Sequence, residues 1–134
     1  MKIIVDTSIW SLALRRQSEI VNQETVLLKT LIEEGNDIYL LGIILQEILQ
    51  GIRTPKHFHS LTEYFRNFPF IEPRREDYIK AAELKNYLIK KGKQVSTIDA
   101  LIASITISYD CSLFTADRDF AHIAGHSKLK LFKC

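Results

Sequence analysis

The sequence has little cysteine and few of the residues that make linkers. Only two cysteines, five glycines and three prolines occur among 134 residues. The two cysteines lack the paired spacing of a zinc site, and two are too few for the disulfide framework of a small secreted protein. No repeat and no stretch rich in Gly, Pro or Ser divides the chain. We therefore expect a single domain over residues 1–134.

Long apolar runs and a large charge of one sign are also missing. The apolar N-terminal run is stopped by Asp6, far too early for a signal peptide. No run approaches the roughly 18 residues that cross a bilayer. The formal net charge of +2 is too small to indicate a polyanionic partner by itself. We expect a soluble protein of the reducing cytoplasm that does not contact a membrane.

Short β-rich runs alternate with longer helical patterns along the whole chain. The patterns predict strands over residues 2–5, 38–41, 70–71, 112–115 and 129–132. They predict helices over residues 9–16, 18–34, 43–53, 55–67, 76–91, 96–109 and 117–123. Alternation of this kind indicates an α/β fold, with a parallel sheet covered by helices on both faces.

Two aspartates follow predicted strands. Asp6 comes directly after the first strand, and Asp117 lies two residues after the strand that ends at Thr115. Ligands of open parallel sheets bind beyond the carboxyl ends of the strands, so these side chains can meet at one sheet edge. The alternative is that each aspartate only caps a helix or a turn, where this residue type is common.

Two further acids lie on predicted helices. Glu47 stands in a largely apolar segment, and glutamate is seldom buried unless it is paired or binds a metal. Partial exposure or a salt bridge to Arg53 is the alternative. Asp99 shares a helix face with apolar residues such as Ile102, although Ser96 three residues earlier also suggests a capping box. Taken singly, neither residue is decided.

Together the four acids indicate a metal site. Carboxylates that converge at one sheet edge repel one another, by about 4 kcal/mol for a pair 4 Å apart at an effective dielectric constant of 20. Divalent cations such as Mg²⁺ prefer oxygen ligands and would neutralise the cluster. Hydrolysis of phosphodiester bonds uses this arrangement, because the metal activates water and stabilises the attacking and leaving oxygens.

Four segments resemble, in this order, the motifs of PIN-domain proteins, and most closely those of the VapC-type toxin ribonucleases of prokaryotic toxin–antitoxin pairs. The matching segments are Ile-Ile-Val-Asp-Thr-Ser at 3–8, Glu-Ile-Leu-Gln-Gly at 47–51, Ile-Asp-Ala-Leu-Ile-Ala at 98–103 and Leu-Phe-Thr-Ala-Asp-Arg-Asp-Phe at 113–120. The resemblance extends over almost the whole chain. It implies a three-layer α/β/α fold with a central parallel sheet of about five strands.

The resemblance also implies roles for particular residues. The metal-binding and catalytic acids of the family correspond to Asp6, Glu47, Asp99 and Asp117. Asp119 corresponds to a further acid that assists, and the supporting hydroxyls correspond to Thr7, Ser8 and Thr115. Such toxins cleave RNA with Mg²⁺ or Mn²⁺, form homodimers and are silenced by a cognate antitoxin. One departure is Ile44, at a position where the family often has Ser or Thr, which leaves the start of the Glu47 helix without an obvious cap.

Basic residues and rival functions complete the sequence-based predictions. Arg53, Lys91 and Lys93 are candidates for phosphate contacts, with ordinary solvated side chains as the alternative. The four histidines match no metal or general-base spacing. Two rival functions stay open at this point: an RNA- or protein-binding PIN module with weak or no catalysis, and a phosphohydrolase with Asp6 as its nucleophile.

Overall fold

Parallel strands form the sheet at the centre of the protein. The computed structural model describes residues 1–14 and 22–133, and within them the sheet has four strands in the order β3-β2-β1-β4. The strands are β1 (Lys2–Val5), β2 (Asp37–Leu41), β3 (Phe70–Ile71) and β4 (Ser112–Phe114). All three pairings are parallel. The predicted sheet of about five strands is confirmed, although its fifth member, residues 129–132, contributes only one parallel bridge between Leu131 and Leu113.

Helices connect the strands and cover the sheet. They are α1 (Thr7–Ala13), α2 (Gln23–Glu33), α3 (Gly42–Leu49), α4 (Pro55–Phe65), α5 (Arg75–Lys90), α6 (Thr97–Ser108) and α7 (Asp119–Gly125). The main helix contacts link α1 with α2 and α3, α3 with α4, and α6 with α5 and α7. These two groups are the outer layers of the predicted α/β/α fold, which is confirmed. None of the helices described is long and apolar enough to cross a membrane.

The helix boundaries follow local capping chemistry. The side chain of Asn22 accepts a hydrogen bond from the Thr25 N–H at the start of α2, and Gly35, with φ of +74°, follows the end of that helix. The predicted end of the first helix and start of the second, within residues 15–21, lie outside the described residues. The helix α3 begins after Leu41, whose side chain makes no capping bond, as the missing Ser or Thr led us to expect.

The core is made by the strands and by the helix faces that cover them. Ile3, Ile4 and Val5 of β1 are all fully buried. In α4, Phe65 is buried, and its ring centroid lies 5.0 Å from that of Trp10. Phe58, in the first turn of the same helix, is 43% exposed.

The sheet topology places three chain segments at one edge. Because β1 and β4 are parallel neighbours with Val5 opposite Phe114, the residues after both strands emerge side by side. The Asp6 N–H continues the pairing by donating to the Phe114 carbonyl at 2.9 Å. On the other side of β1, the strand β2 leads at once into α3, which carries Glu47. Asp6, Glu47 and Thr115 therefore belong to segments that leave neighbouring strands at the same edge.

Candidate active site

Asp6 is buried at the end of β1 and is held by two hydroxyl groups. It is 6% exposed. Its Oδ2 atom accepts hydrogen bonds from Ser8 Oγ and from Thr115 Oγ1, both at 2.8 Å. Although Asp6 occupies the N-cap position of α1, its side chain makes no capping hydrogen bond. The alternative, that this aspartate is only a helix cap, is therefore wrong.

The same two hydroxyls lock the segment after β4 onto Asp6. Each hydroxyl hydrogen is directed to Asp6, so each oxygen is free to accept. Ser8 Oγ accepts from the Ala116 N–H and Thr115 Oγ1 accepts from the Asp117 N–H, both at 3.0 Å. The two oxygens lie 3.3 Å apart. Within the described residues no side chain donates to Asp6 Oδ1.

Glu47 is fixed by a residue that is adjacent to Asp6. On α3 it is half-buried, and its Oε1 accepts a hydrogen bond from Thr7 Oγ1 at 2.9 Å. This bond ties the helix after β2 to the start of α1. In the part of the chain that the structure describes, Glu47 forms no ion pair with a basic residue such as Arg53, whereas the partial exposure that the alternative predicted is present.

Asp99 lies in the first turn of α6, close to other negative charges. The helix is capped by Ser96, whose Oγ accepts from the Asp99 N–H at 3.0 Å. Burial raises the pKa of the Asp99 carboxyl, and the nearby charges of Asp117, Asp6 and Asp119 raise it further, while a hydrogen bond with Ser96 lowers it. Asp99 therefore both belongs to a capped helix turn, as the alternative had it, and faces the other acids.

Three carboxylates converge beyond β4. Asp99, Asp117 and Asp119 each offer a carboxylate oxygen, and these atoms all lie within 4.8 Å of one another. Asp117 Oδ1 also accepts from the Asp119 N–H at 2.9 Å, so the predicted turn role of Asp117 is present together with its place in the cluster. At this separation each pair repels by about 1 kcal/mol in a water-like dielectric and by about 3.5 kcal/mol at a dielectric constant of 20. A divalent cation would relieve that repulsion.

The donor set fits a hard divalent cation. All the groups offered are carboxylate oxygens, which Mg²⁺ and Mn²⁺ prefer, and neither cysteine nor histidine contributes to the cluster. The sequence-based prediction placed Asp6, Glu47, Asp99 and Asp117 at one edge, and the resemblance implied an assisting role for Asp119. In the structure Asp119 belongs to the same cluster as Asp99 and Asp117, with its carboxylate oxygen within 4.8 Å of theirs. In the sequence, the signal that identifies Asp119 is its position two residues after Asp117, at the start of α7.

The candidate phosphate-binding residues lie in loops and at a helix end. Arg53 is exposed beyond the end of α3. Lys91 follows the last turn of α5, and its Nζ lies 5.6 Å from the centroid of the Tyr87 ring. Lys93 is half-buried in the loop before α6. Their contact with RNA stays a prediction.

The comparison with known families identifies this arrangement. The model of the PIN domain matches residues 3–126, which include every acid of the site. The chain belongs to the PIN domain family. A sequence search of curated proteins finds no match.

Solved structures share the fold of this PIN domain over nearly its full length. A chain of VapBC2 from Rickettsia felis, bound to a DNA fragment from their promoter, is 24% identical with a TM-score of 0.78, and 98% of each chain is covered. A chain of FitAcB from Neisseria gonorrhoeae is 25% identical with a TM-score of 0.71, covering 98% of this chain and 96% of the other. A chain of VapBC-5 from Mycobacterium tuberculosis, a member of the VapBC family of toxin–antitoxin systems, is 17% identical with a TM-score of 0.67, covering 99% and 98%.

Proposed function

We propose that this PIN domain is a metal-dependent endoribonuclease that acts as the toxin of a toxin–antitoxin pair. The observation that carries the proposal is the convergence of carboxylates at one sheet edge. Three of them, on Asp99, Asp117 and Asp119, have oxygens within 4.8 Å of one another. Asp6 and Glu47 are each oriented by hydroxyl donors at the same edge.

The residues divide into those that hold the metal and those that position them. Asp6, Glu47, Asp99 and Asp117 are the proposed ligands of Mg²⁺, for which Mn²⁺ can substitute, and Asp119 assists. A bound cation would activate water and stabilise negative charge at the scissile phosphate. Ser8 and Thr115 orient the Asp6 carboxylate, and Thr7 orients that of Glu47. Hydrogen bonds of this kind fix the direction of a ligand before the metal arrives.

The proposed toxin role is based on analogy with proteins of similar structure. VapBC2 is bound to a DNA fragment from its promoter, and VapBC-5 is a member of a family of toxin–antitoxin systems. We propose by analogy that this chain acts as a single domain in the cytoplasm, forms a homodimer and is silenced by a cognate antitoxin. The rival phosphohydrolase is disfavoured, because its Asp-x-Thr pattern is met only loosely: Thr7 directly follows Asp6, and Ser8 stands in the threonine position.

Cleavage of RNA by the purified protein tests the proposal. We expect cleavage of single-stranded or loop RNA in Mg²⁺ or Mn²⁺, none in EDTA, and recovery when excess Mg²⁺ is added back. Asp6→Asn should abolish cleavage. Asp37→Asn, which changes an exposed acid at the opposite end of the sheet, is the matched control and should retain it. Cleavage that persists in EDTA would contradict the metal mechanism, and RNA binding without cleavage would favour a binding module.

Expression in a bacterial host tests the toxin role separately. Induction of the parent chain should arrest growth, whereas the Asp6→Asn and Asp99→Asn variants should accumulate as folded protein without effect. Each substitution removes one charge with almost no change in volume. Equal toxicity of both folded variants would show that these acids do not carry the activity.

A further inference from the structure

A groove adjoins the acid cluster on the side of α5 and α7. It encloses about 540 Å³, and two of its lining residues, Asp99 and Asp119, belong to the cluster itself. Ile89, Val95 and Ile123 supply apolar surface, and Gln94 supplies an amide. The volume lies in the range of about 300 to 1,000 Å³ that is usual for small-molecule pockets. One end of the groove is thus anionic and would hold metal, and the rest combines apolar side chains with the Gln94 amide and the Ser96 hydroxyl.

The apolar part of the groove is open to solvent. Ile89, in the last turn of α5, is 53% exposed, and Val95 in the following loop is half-buried. Ile123 of α7 also lines the groove, and its side chain is buried. A planar ligand could pack its face against these side chains. Gln94 can both donate and accept hydrogen bonds at the edge of such a ligand.

We propose that this groove binds the nucleobase of a nucleotide next to the scissile phosphate. The inference rests on the proposed ribonuclease function. A phosphate at the acid cluster places its own sugar and base within reach of a groove that shares Asp99 and Asp119. Single-stranded RNA presents unstacked bases whose faces pack on side chains and whose edges accept hydrogen bonds. Ile89, Val95 and Ile123 contact the face of the base, and Gln94 contacts its edge.

The charges around the groove fit a nucleotide. Lys91 and Lys93 both precede Gln94 in the loop between α5 and α6, and neither forms an ion pair with any residue that the structure describes. Their positive charge next to Gln94 would attract the phosphate of a nucleotide bound in the groove. An uncharged apolar ligand would gain nothing from the lysines or from a metal at the acids.

Binding of mononucleotides in Mg²⁺ tests the groove without any need for cleavage. The protein is labelled at the isoleucine δ1 methyl groups, and Ile→Val variants assign the signals. We expect at least one of the four nucleoside 5′-monophosphates to shift the methyl signals of Ile89 and Ile123. Each is added at about 10 mM, which suffices for a dissociation constant in the millimolar range. Ile79, which is 44% exposed on the same helix but does not line the groove, is the internal control.

Ribose 5-phosphate separates base binding from phosphate binding. It carries the sugar and the phosphate without the base, so it should leave the Ile89 signal in place. Equal shifts with ribose 5-phosphate and with the nucleotides would overturn the proposal. The absence of any shift with all four nucleotides would overturn it too.

Cleavage of an RNA library with random bases tests the role in specificity. We expect the parent to prefer one base at a position next to the cut. Ile89→Ala and Gln94→Ala should each reduce that preference on the order of tenfold, and Ile79→Ala should not change it. A parent without preference there, or variants that keep the parent's preference, would overturn the base site and leave the ribonuclease function standing. A parent that cleaves no RNA in Mg²⁺ or Mn²⁺ would overturn both.

Discussion

Removal of the Asp99 charge should stabilise the metal-free protein. In the absence of a cation, the Asp99 carboxylate faces those of Asp117 and Asp119, with ligand oxygens within 4.8 Å of one another. The raised pKa of Asp99, due first to burial and then to these charges, shows that its ionised form is disfavoured in the folded state. Asp99→Asn abolishes the ionised form and keeps the shape of the side chain.

The expected gain is a difference between two opposing contributions. Because the cluster is partly exposed, we take the repulsion as about 1 kcal/mol for each of two pairs, the value for a water-like dielectric. The lost carboxylate also interacted favourably with the N-terminus of α6, an interaction that contributes about 0.5 kcal/mol. The net stabilisation of the metal-free protein is therefore about 1.5 kcal/mol, which corresponds to a rise in Tm of about 5 °C for a chain of this size.

Thermal melts in EDTA and in Mn²⁺ measure both halves of the prediction. At a Mn²⁺ concentration one hundred times the dissociation constant of the parent, the ion should stabilise the parent by about 2.7 kcal/mol. At the same concentration, a variant that binds Mn²⁺ tenfold more weakly should be stabilised by about 1.4 kcal/mol. Asp110→Asn is a control of opposite sign, because the exposed Asp110 pairs with Lys130 at 2.6 Å and its pKa is lowered by that partner. Its Tm should stay level or fall, while asparagine tolerates the positive φ of 54° there.

The reasoning would be refuted if Asp99→Asn lowered the stability of the metal-free protein by more than about 1 kcal/mol. A loss of that size is comparable to the loss of a helix cap. It would show that Asp99 acts mainly as part of the capped turn of α6. An unchanged response to Mn²⁺ would show in addition that Asp99 is not a ligand.

Three other predictions concern the charges and hydroxyls of the site. The pKa of Asp99 in the folded state is raised above the ordinary 3.8, so the metal-free protein should lose stability as the pH rises from that value through the raised pKa. Urea unfolding of Asp99→Asn should show a smaller loss of stability over the same pH range. Thr115→Val removes a hydroxyl that donates one hydrogen bond and accepts another, so chemical denaturation should show a loss of about 2 kcal/mol, against little for Thr62→Val on the exposed side of α4. Thr7→Val removes the donor to Glu47 and should lower RNA cleavage at limiting Mg²⁺ by about tenfold, an effect that excess Mg²⁺ partly restores.

The fold was predictable because its strands and helices differ clearly in pattern. The run before Asp6 is buried and β-branched, and the longer segments carry helical periodicity and capping residues such as Ser96. The strand at residues 129–132 was overestimated, because only Leu131 pairs with β4. Apolar alternation in so short a segment does not determine how many of its residues find partners at the edge of a sheet.

The candidate site was predictable in its acids and less so in their grouping. Asp6 and Asp117 follow parallel strands, so the topology alone brings them to one edge. The proximity of Asp119 to the other acids does not follow from the sequence, because it depends on the turn in which Asp117 Oδ1 accepts a hydrogen bond from the Asp119 N–H. The groove beside the cluster was not foreseen, since its walls come from α5, α7 and the loop at Gln94, which only the tertiary packing brings together.

Binding of Mn²⁺ to the purified protein, followed by the electron paramagnetic resonance signal of the free ion, tests the central claim most directly. The parent should bind Mn²⁺ in competition with Mg²⁺, and Asp99→Asn should weaken that binding by at least about tenfold, the usual effect of disturbing a ligand sphere. Asp37→Asn, at the far end of the sheet, should bind as the parent does. No binding by the parent at millimolar Mn²⁺, or equal affinity in the parent and Asp99→Asn, would contradict the assignment of these carboxylates as a metal site.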